Sequence, residues 1–122
     1  MFWRKKKSKY ETPQITDANF DEIVLNSKVP VLLDFYADWC GPCKVVGPII
    51  DELAEEFEGR ALVAKVNTEI NPILSQHFKI KSIPTLMFIK DGHLMDRFQG
   101  LVPKPNLAEF LEEYIAMDSI EE

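Results

Sequence analysis

Two cysteines, Cys40 and Cys43, are the residues of this sequence with the most specific chemistry. They are its only cysteines and form a single Cys-x-x-Cys motif. A bridge across two intervening residues restrains the unfolded chain very little, so the pair would make a poor stabilising disulfide. The motif instead favours a reversible dithiol/disulfide couple, which would act as a redox catalyst in a reducing compartment.

Zinc binding is the other chemistry that a Cys-x-x-Cys motif supports. A closed structural zinc site needs four ligands. Beyond the cysteines the sequence offers only His77 and His93, at a spacing unlike that of a zinc finger. We therefore expect no metal site and no cofactor other than the Cys40–Cys43 disulfide itself.

The cysteines lie between a predicted strand and a predicted helix. Residues 29–36 are nearly all apolar, which indicates a central strand covered on both faces. Residues 41–57 repeat apolar side chains at helical spacing, with a kink expected at Pro48. Cys40 would then lie at the helix N-terminus, where free N–H groups and the helix dipole favour a thiolate. Cys43 would lie one turn further in, more shielded, so we expect Cys40 to attack and Cys43 to resolve.

Hydrophobic periodicity and turn signals outline the other elements. A helix beginning at Thr16 or Asp17 and ending at residue 26 follows a short extended segment, and Asp91-Gly92 predicts a hairpin. The order β-α-β-α-β-α-β-β-α predicts an α/β domain, with a central mixed sheet of about five strands flanked by four helices on both faces. The further predicted elements are extended segments at 13–16, 61–66, 85–90 and 94–99 and helices at 72–78 and 104–117.

Composition places the chain among single-domain globular proteins. It has 122 residues, of which 46% are hydrophobic and 28% charged, and no run reaches the roughly 18 apolar residues that span a bilayer. Residues 1–10 hold five of the 14 basic residues and no acid, so all 20 acidic residues fall in the rest of the chain. Such an acidic body argues against nucleic-acid binding and is compatible with a monomer.

The two ends differ in charge from the domain between them. We expect a basic, flexible leader at 1–11, a domain at 12–117 and an acidic tail at 118–122. The leader could contact anionic lipid or an acidic partner, but a solvated leader is the favoured interpretation, so membrane binding is not expected. No apolar stretch follows its basic residues as a secretory signal requires, so the sequence predicts a cytoplasmic protein.

A longer pattern surrounds the cysteines. It consists of DFYADWCGPCK at 34–44, IPT at 83–85, and two glycines, Gly92 and Gly100. This pattern resembles the thioredoxin family over residues 12–117. Cys-Gly-Pro-Cys is typical of its reducing members, whereas oxidases and isomerases commonly carry a histidine between the cysteines. The resemblance implies the thioredoxin fold and a protein-disulfide reductase, with protein disulfides as substrates and a thioredoxin reductase as electron donor.

The resemblance also implies two charged site residues. Asp34 would be the buried acid beneath the disulfide, moving a proton to or from Cys43, and Lys65 would be the lysine near it. The sequence independently marks Asp34 as unusual, because a carboxylate in an apolar strand should have a raised pKa. The alternatives are a hydrogen-bonded structural role for Asp34 and a solvated position for Lys65.

A docking surface for substrates is implied as well. Ile83-Pro84 matches the cis-proline of the family, whose loop packs on the disulfide and pairs with a substrate chain. Two positions depart from the family pattern and could alter specificity, namely Tyr36 in place of a common tryptophan and Ser82 in place of a common glycine. The expected docking residues are Trp39, Gly41, Pro42, Ile83, Pro84 and Gly100.

Two other functions remain open at this point. One keeps the fold but makes the protein an oxidase, an isomerase or the dedicated reductant of one partner. The other is a non-catalytic binding subunit that uses the surface of Trp39, Ile83 and Pro84 without turnover.

Overall fold

The computed structural model describes residues 10–120. The predicted leader at 1–11 lies outside the described residues except for its last two positions, and so do the last two of the predicted tail at 118–122. The elements in chain order are a π-helical turn Asp21–Leu25, β1 Val31–Tyr36, α1 Gly41–Glu56, β2 Leu62–Asn67, α2 Pro72–His77, β3 Thr85–Lys90, β4 His93–Gln99 and α3 Lys104–Ile120.

The strands form one mixed sheet in the order β2-β1-β3-β4. Parallel β1 and β2 are joined by the α1 crossover, and β1–β3 and β3–β4 pair antiparallel. The β3–β4 hairpin turns at Asp91 and Gly92, whose φ angles of 53° and 79° are those of the predicted tight turn. The segment expected as a further strand at 13–16 pairs with the sheet through one bridge, Gln14 to Lys65. The predicted thioredoxin fold is thus confirmed, with four full strands in the described part of the chain.

Buried side chains cover both faces of the sheet, as the apolar strand pattern indicates. Successive residues of β1 point to opposite faces, so Leu32 packs in one core and Leu33 in the other. The first core lies under α1 and α3, and the second lies under the π-helical turn and α2. By the same alternation Asp34 lies on the α1 face, which places its carboxyl below the cysteines.

Three local expectations differ from the structure. The helix predicted from residue 16 to 26 is a turn that continues into the π-helical turn, although Thr16 caps it as expected by accepting the Asn19 N–H at 3.2 Å. Val45, one of the apolar residues that predict the helix at 41–57, is expected on its buried face but is 55% exposed, because it lies beside that stripe rather than on it. The last helix extends to Ile120, into the segment expected as a tail.

Candidate active site

The disulfide lies where β1 gives way to α1. Cys40 and Cys43 are bonded, with Cα atoms 5.2 Å apart. Cys40 is the N-cap of α1 in extended conformation, and its Sγ accepts the backbone N–H of Cys43 at 3.2 Å. Pro42 occupies the first turn, where its missing N–H leaves no bond unmade. A helix start favours negative charge at this position, so in the reduced protein it would stabilise a thiolate at Cys40.

The expected difference in shielding between the two cysteines is wrong. Cys40 is 4% exposed and Cys43 is 6% exposed, so the disulfide is buried at both ends. Ala37 is buried with them, and the half-buried side chains of Tyr36 and Ile83 pack against this cluster. Sequence spacing predicts only where each cysteine lies on the helix. Cys40 is buried because the loop before β3 packs against it.

That loop contains the implied cis bond, between Ile83 and Pro84. The carbonyl oxygen of Ile83 lies 3.7 Å from Cys40 Sγ. The carbonyl oxygen of Pro84 accepts the Gly100 N–H at 2.8 Å. Gly100 has a φ of 88°, a conformation that glycine adopts without strain. The structure thereby brings together Cys40, Ile83, Pro84 and Gly100.

Asp34 is the buried acid that the strand pattern marked. It is fully buried, and among residues 10–120 neither of its carboxyl oxygens has a hydrogen-bond partner. Burial raises its pKa to about 7; the Lys65 charge lowers the pKa and the Asp51 charge raises it, both less than burial does. The expected raised pKa agrees with this environment. The described residues supply no hydrogen bond for the alternative, a structural aspartate.

A cleft of about 260 Å³ connects Asp34 with Cys43. It is large enough for several water molecules, which occupy roughly 30 Å³ each in the liquid. The cleft is lined by Asp34, Tyr36, Ala37, Asp38, Cys43, Lys44, Gly47, Pro48, Asp51 and Lys65.

Lys65 lies beside Asp34 in the register of β1 and β2. Its ammonium forms an ion pair with Asp51 Oδ1 at 2.9 Å and lies 5.8 Å from the centre of the Tyr36 ring. The Lys65 side chain is only 17% exposed, so the interpretation as a solvated lysine is wrong.

The other residues expected to dock substrates lie at the surface near the start of α1. Trp39 is 66% exposed, and its Nε1 donates a hydrogen bond to Glu69 Oε2 at 2.6 Å. Gly41 and Pro42 are exposed at the helix start. An apolar rim of this kind is available to a partner chain.

The two departures from the family pattern have different surroundings. The Tyr36 hydroxyl accepts a hydrogen bond from Gln14 Nε2 at 3.1 Å. Ser82 is exposed, and its carbonyl accepts the Thr85 hydroxyl at 2.6 Å. Tyr36 is therefore part of the cleft, whereas Ser82 lies at the surface.

Asp51 is a site residue that sequence reasoning misses, because an acidic residue between the apolar positions of a helix is ordinarily only solvent-exposed. A signal was present, since Cys43, Gly47 and Asp51 follow one another at intervals of four and share one face of α1. Its partners Thr12 and Lys65 lie far away in the chain, and no local pattern indicates them.

Known proteins resemble this chain over most of its length. A family model described as Thioredoxin matches residues 11–113. A thioredoxin of Synechocystis sp. is 50% identical over 85% of this chain and 97% of its own, and one of Haemophilus influenzae is 45% identical over 86% and 98%. A chloroplastic M-type thioredoxin of Spinacia oleracea is 43% identical over 87% of this chain and 59% of its own.

The fold and the redox-active cysteine pair define a thiol–disulfide oxidoreductase. The chain belongs to the thioredoxin family, and its activity is that of a protein-disulfide reductase.

Proposed function

We propose that Cys40 is the nucleophile and Cys43 the resolving thiol of this reductase. The observation that carries the proposal is the position of Cys40 Sγ at the α1 N-terminus, where it accepts a hydrogen bond from the backbone N–H of Cys43. The Cys40 thiolate attacks one sulfur of a substrate disulfide and releases the other as a thiolate, forming a mixed disulfide. Cys43, once deprotonated, attacks Cys40 Sγ and releases the second substrate thiolate. Two electrons pass to the substrate, and the Cys40–Cys43 disulfide results.

Asp34 is proposed as the group that takes the proton from Cys43. Its carboxyl and Cys43 line the same cleft, and its raised pKa of about 7 suits proton exchange near neutral pH. Water in the cleft would carry the proton between them. Lys65 lowers the cost of the Asp34 anion, since it is the cation on the neighbouring strand.

The substrate chain is proposed to lie along the rim of the disulfide. The Ile83 carbonyl lies beside Cys40, Pro84 itself is buried, and Trp39, Gly41 and Pro42 are exposed around the start of α1. Gly100, bonded to Pro84, completes the surface. An apolar, shallow surface of this kind would accept many extended segments around a cystine.

The surroundings of the reaction are part of the same proposal. The substrates would be protein disulfides, and a thioredoxin reductase would return electrons to the Cys40–Cys43 disulfide, with no metal or organic cofactor. The compartment would be the cytoplasm, where thiols are kept reduced. A net charge of −6 is compatible with a monomer. Among residues 10–120 no helix is long and apolar enough to cross a membrane.

Trapping of mixed disulfides tests the roles of the two cysteines. We expect Cys43→Ser to accumulate covalent adducts with protein disulfides, because the attack of Cys40 proceeds and the resolving thiol is absent. Cys40→Ser is the matched control and should trap far fewer. Adducts would be counted on non-reducing gels before and after added dithiol. Equal trapping by both variants would refute the assignment. Retention of biological function by a variant with both cysteines changed to Ser would favour the non-catalytic binding subunit.

A further inference from the structure

Asp51 lies at the mouth of the cleft, and one oxygen of its carboxylate contacts two other side chains. Its Oδ1 lies 2.9 Å from the Lys65 ammonium and accepts the Thr12 hydroxyl at 2.6 Å. The Asp51 side chain is 52% exposed, whereas that of Lys65 is 17% exposed. The Lys65 ammonium is therefore paired with a carboxylate of α1 that lies at the protein surface.

The segment before the first helical turn fixes this arrangement from the other side. Lys65 N–H donates to the Pro13 carbonyl at 3.0 Å, and Ile15 N–H donates to the Lys65 carbonyl at 2.8 Å. Thr12, in the same segment, reaches the Asp51 carboxylate. Backbone and side chain of Lys65 are thus held by neighbouring residues of one edge segment and by the helix.

The surroundings of the Asp34 carboxyl differ from those of the Asp51 carboxylate. It is paired with Lys65 in the strand register, yet its two oxygens have no hydrogen-bond partner within residues 10–120. We propose that Asp51, held by Thr12, is a positioning residue that keeps the Lys65 ammonium at the mouth of the cleft and leaves the Asp34 carboxyl without a contacting counter-ion. The link between this geometry and catalysis rests on the proposed proton transfer by Asp34.

The charged and titratable groups around Asp34 come from three elements. On the β3 side its register partner is the apolar Leu86. The groups that line the cleft with it are Tyr36 and Asp38 from the end of β1, Cys43, Lys44 and Asp51 from α1, and Lys65 from β2.

The direction of the effect follows from the signs of these charges. Neutralising Asp51 removes a negative charge that opposes ionisation of Asp34. It also frees Lys65 to approach Asp34, which favours the Asp34 anion further. Both changes lower the pKa of Asp34.

Titration of the Asp34 carboxyl by carbon NMR in the oxidised protein tests the inference without any activity assay. In Asp51→Asn the Asp34 midpoint should move down by about one pH unit. Glu52→Gln is the matched control, because it removes one charge and one ion pair, to Lys104 at 3.0 Å, from the same helix. Its Asp34 midpoint should move by less than about 0.3 pH unit. An unmoved midpoint in Asp51→Asn would overturn the inference.

A double-variant cycle separates positioning of Lys65 from the direct charge of Asp51. In a Lys65→Met background no ammonium remains to be held, so Asp51→Asn should shift the Asp34 midpoint by less than about half as much. An equal shift in both backgrounds would show that Asp51 acts through its charge alone, which overturns the positioning role. Thr12→Val keeps the Asp51 charge and should give a smaller downward shift, and no shift there would remove Thr12 from the proposal.

The pH profile of the resolving step distinguishes failure of this inference from failure of the proposed function. The rate at which the mixed disulfide resolves should follow the lowered Asp34 midpoint in Asp51→Asn. If the midpoint moves as the double-variant cycle requires and the rate profile does not, the inference stands and Asp34 is not the proton acceptor. If the midpoint stays in place, the inference falls whatever the rates show.

Discussion

At the scale of single residues, the burial of Asp34, the proposed proton acceptor, also affects the stability of the fold. Within residues 10–120 its buried carboxyl has no hydrogen-bond partner, so ionisation costs folding free energy because the anion is better solvated in the unfolded chain. The pKa of Asp34 rises from its ordinary value of 3.8 to about 7, chiefly through burial. The folded state therefore binds its proton more tightly than the unfolded state.

This difference predicts how stability depends on pH. Between about pH 4 and pH 7 the folded protein holds the Asp34 proton and the unfolded chain has released it, so the free energy of unfolding falls as pH rises through this window. Above pH 7 the loss approaches about 4 kcal/mol, because a tenfold difference in proton affinity between the folded and unfolded states is worth about 1.4 kcal/mol. Asp34→Asn should remove this loss, and its stability relative to the native chain should rise between pH 4 and pH 8.

Urea unfolding of both proteins at several pH values would measure this gain. Asp21→Asn is a suitable control, because Asp21 is exposed and does not line the cleft around Asp34. A relative stability of Asp34→Asn that is the same at pH 4 and pH 8 would contradict the assignment of a raised Asp34 pKa.

At the scale of elements, α2 receives its N-terminal cap from a distant residue. The N–H groups of Ile73 and Leu74 donate to the two carboxyl oxygens of Asp17 at 3.1 and 2.9 Å. Asn71, the N-cap position, accepts the Asp17 N–H with its own side chain at 2.9 Å. Asp17 also brings negative charge to the helix N-terminus, which the helix dipole favours. The short α2 helix is thus tied to the segment before the π-helical turn.

Substitution of this cap should destabilise the protein measurably. Asp17→Ala leaves two helical N–H groups without their acceptors and should cost about 1 kcal/mol of unfolding free energy, within the usual range of about 0.5–2 kcal/mol for a cap. Asp17→Asn retains one acceptor oxygen and should cost less. Urea unfolding gives the totals, and faster hydrogen exchange at Ile73 and Leu74 would locate the effect. Equal stability of all three proteins would show that the cap contributes nothing.

At the scale of the whole molecule, α3 and the sheet share one core. Leu107 in α3 is fully buried in the cluster that contains Leu32 of β1 and Phe88 of β3. The ring centre of Phe88 also lies 5.2 Å from that of Phe110. Helix α3, helix α1 and the sheet therefore bury one another's side chains. A destabilising substitution in α3 should therefore destabilise the whole domain.

A pair of leucine substitutions tests this dependence. Leu107→Ala opens a cavity in the core and should cost about 2–5 kcal/mol while unfolding remains a single transition. Leu101→Ala removes the same atoms from a residue that is 51% exposed, and should change stability by less than about 0.5 kcal/mol. Thermal unfolding followed by far-UV and near-UV circular dichroism would measure both. A separate early transition in Leu107→Ala would instead show that α3 unfolds independently.

Much of the fold was accessible from local patterns. The β3 strand at Thr85–Lys90 and the Asp91-Gly92 turn follow from short-range signals of residue type, as does the start of α1 at Gly41. These features depend on backbone preferences and on alternation along a few residues, which are written in the order of the sequence. The cysteine pair and the unusual position of Asp34 were recognisable for the same reason.

Other features were decided only when distant segments met. The cover of Ile83 over Cys40, the Asp17 cap of α2 and the Thr12–Asp51–Lys65 contacts join residues far apart in the chain. Burial, ion pairs and the resulting pKa of Asp34 depend on distances between side chains, and those distances are set only by the complete packing of the chain. The sequence alone determined which groups could do redox chemistry, and the tertiary structure decided which neighbours control their charge.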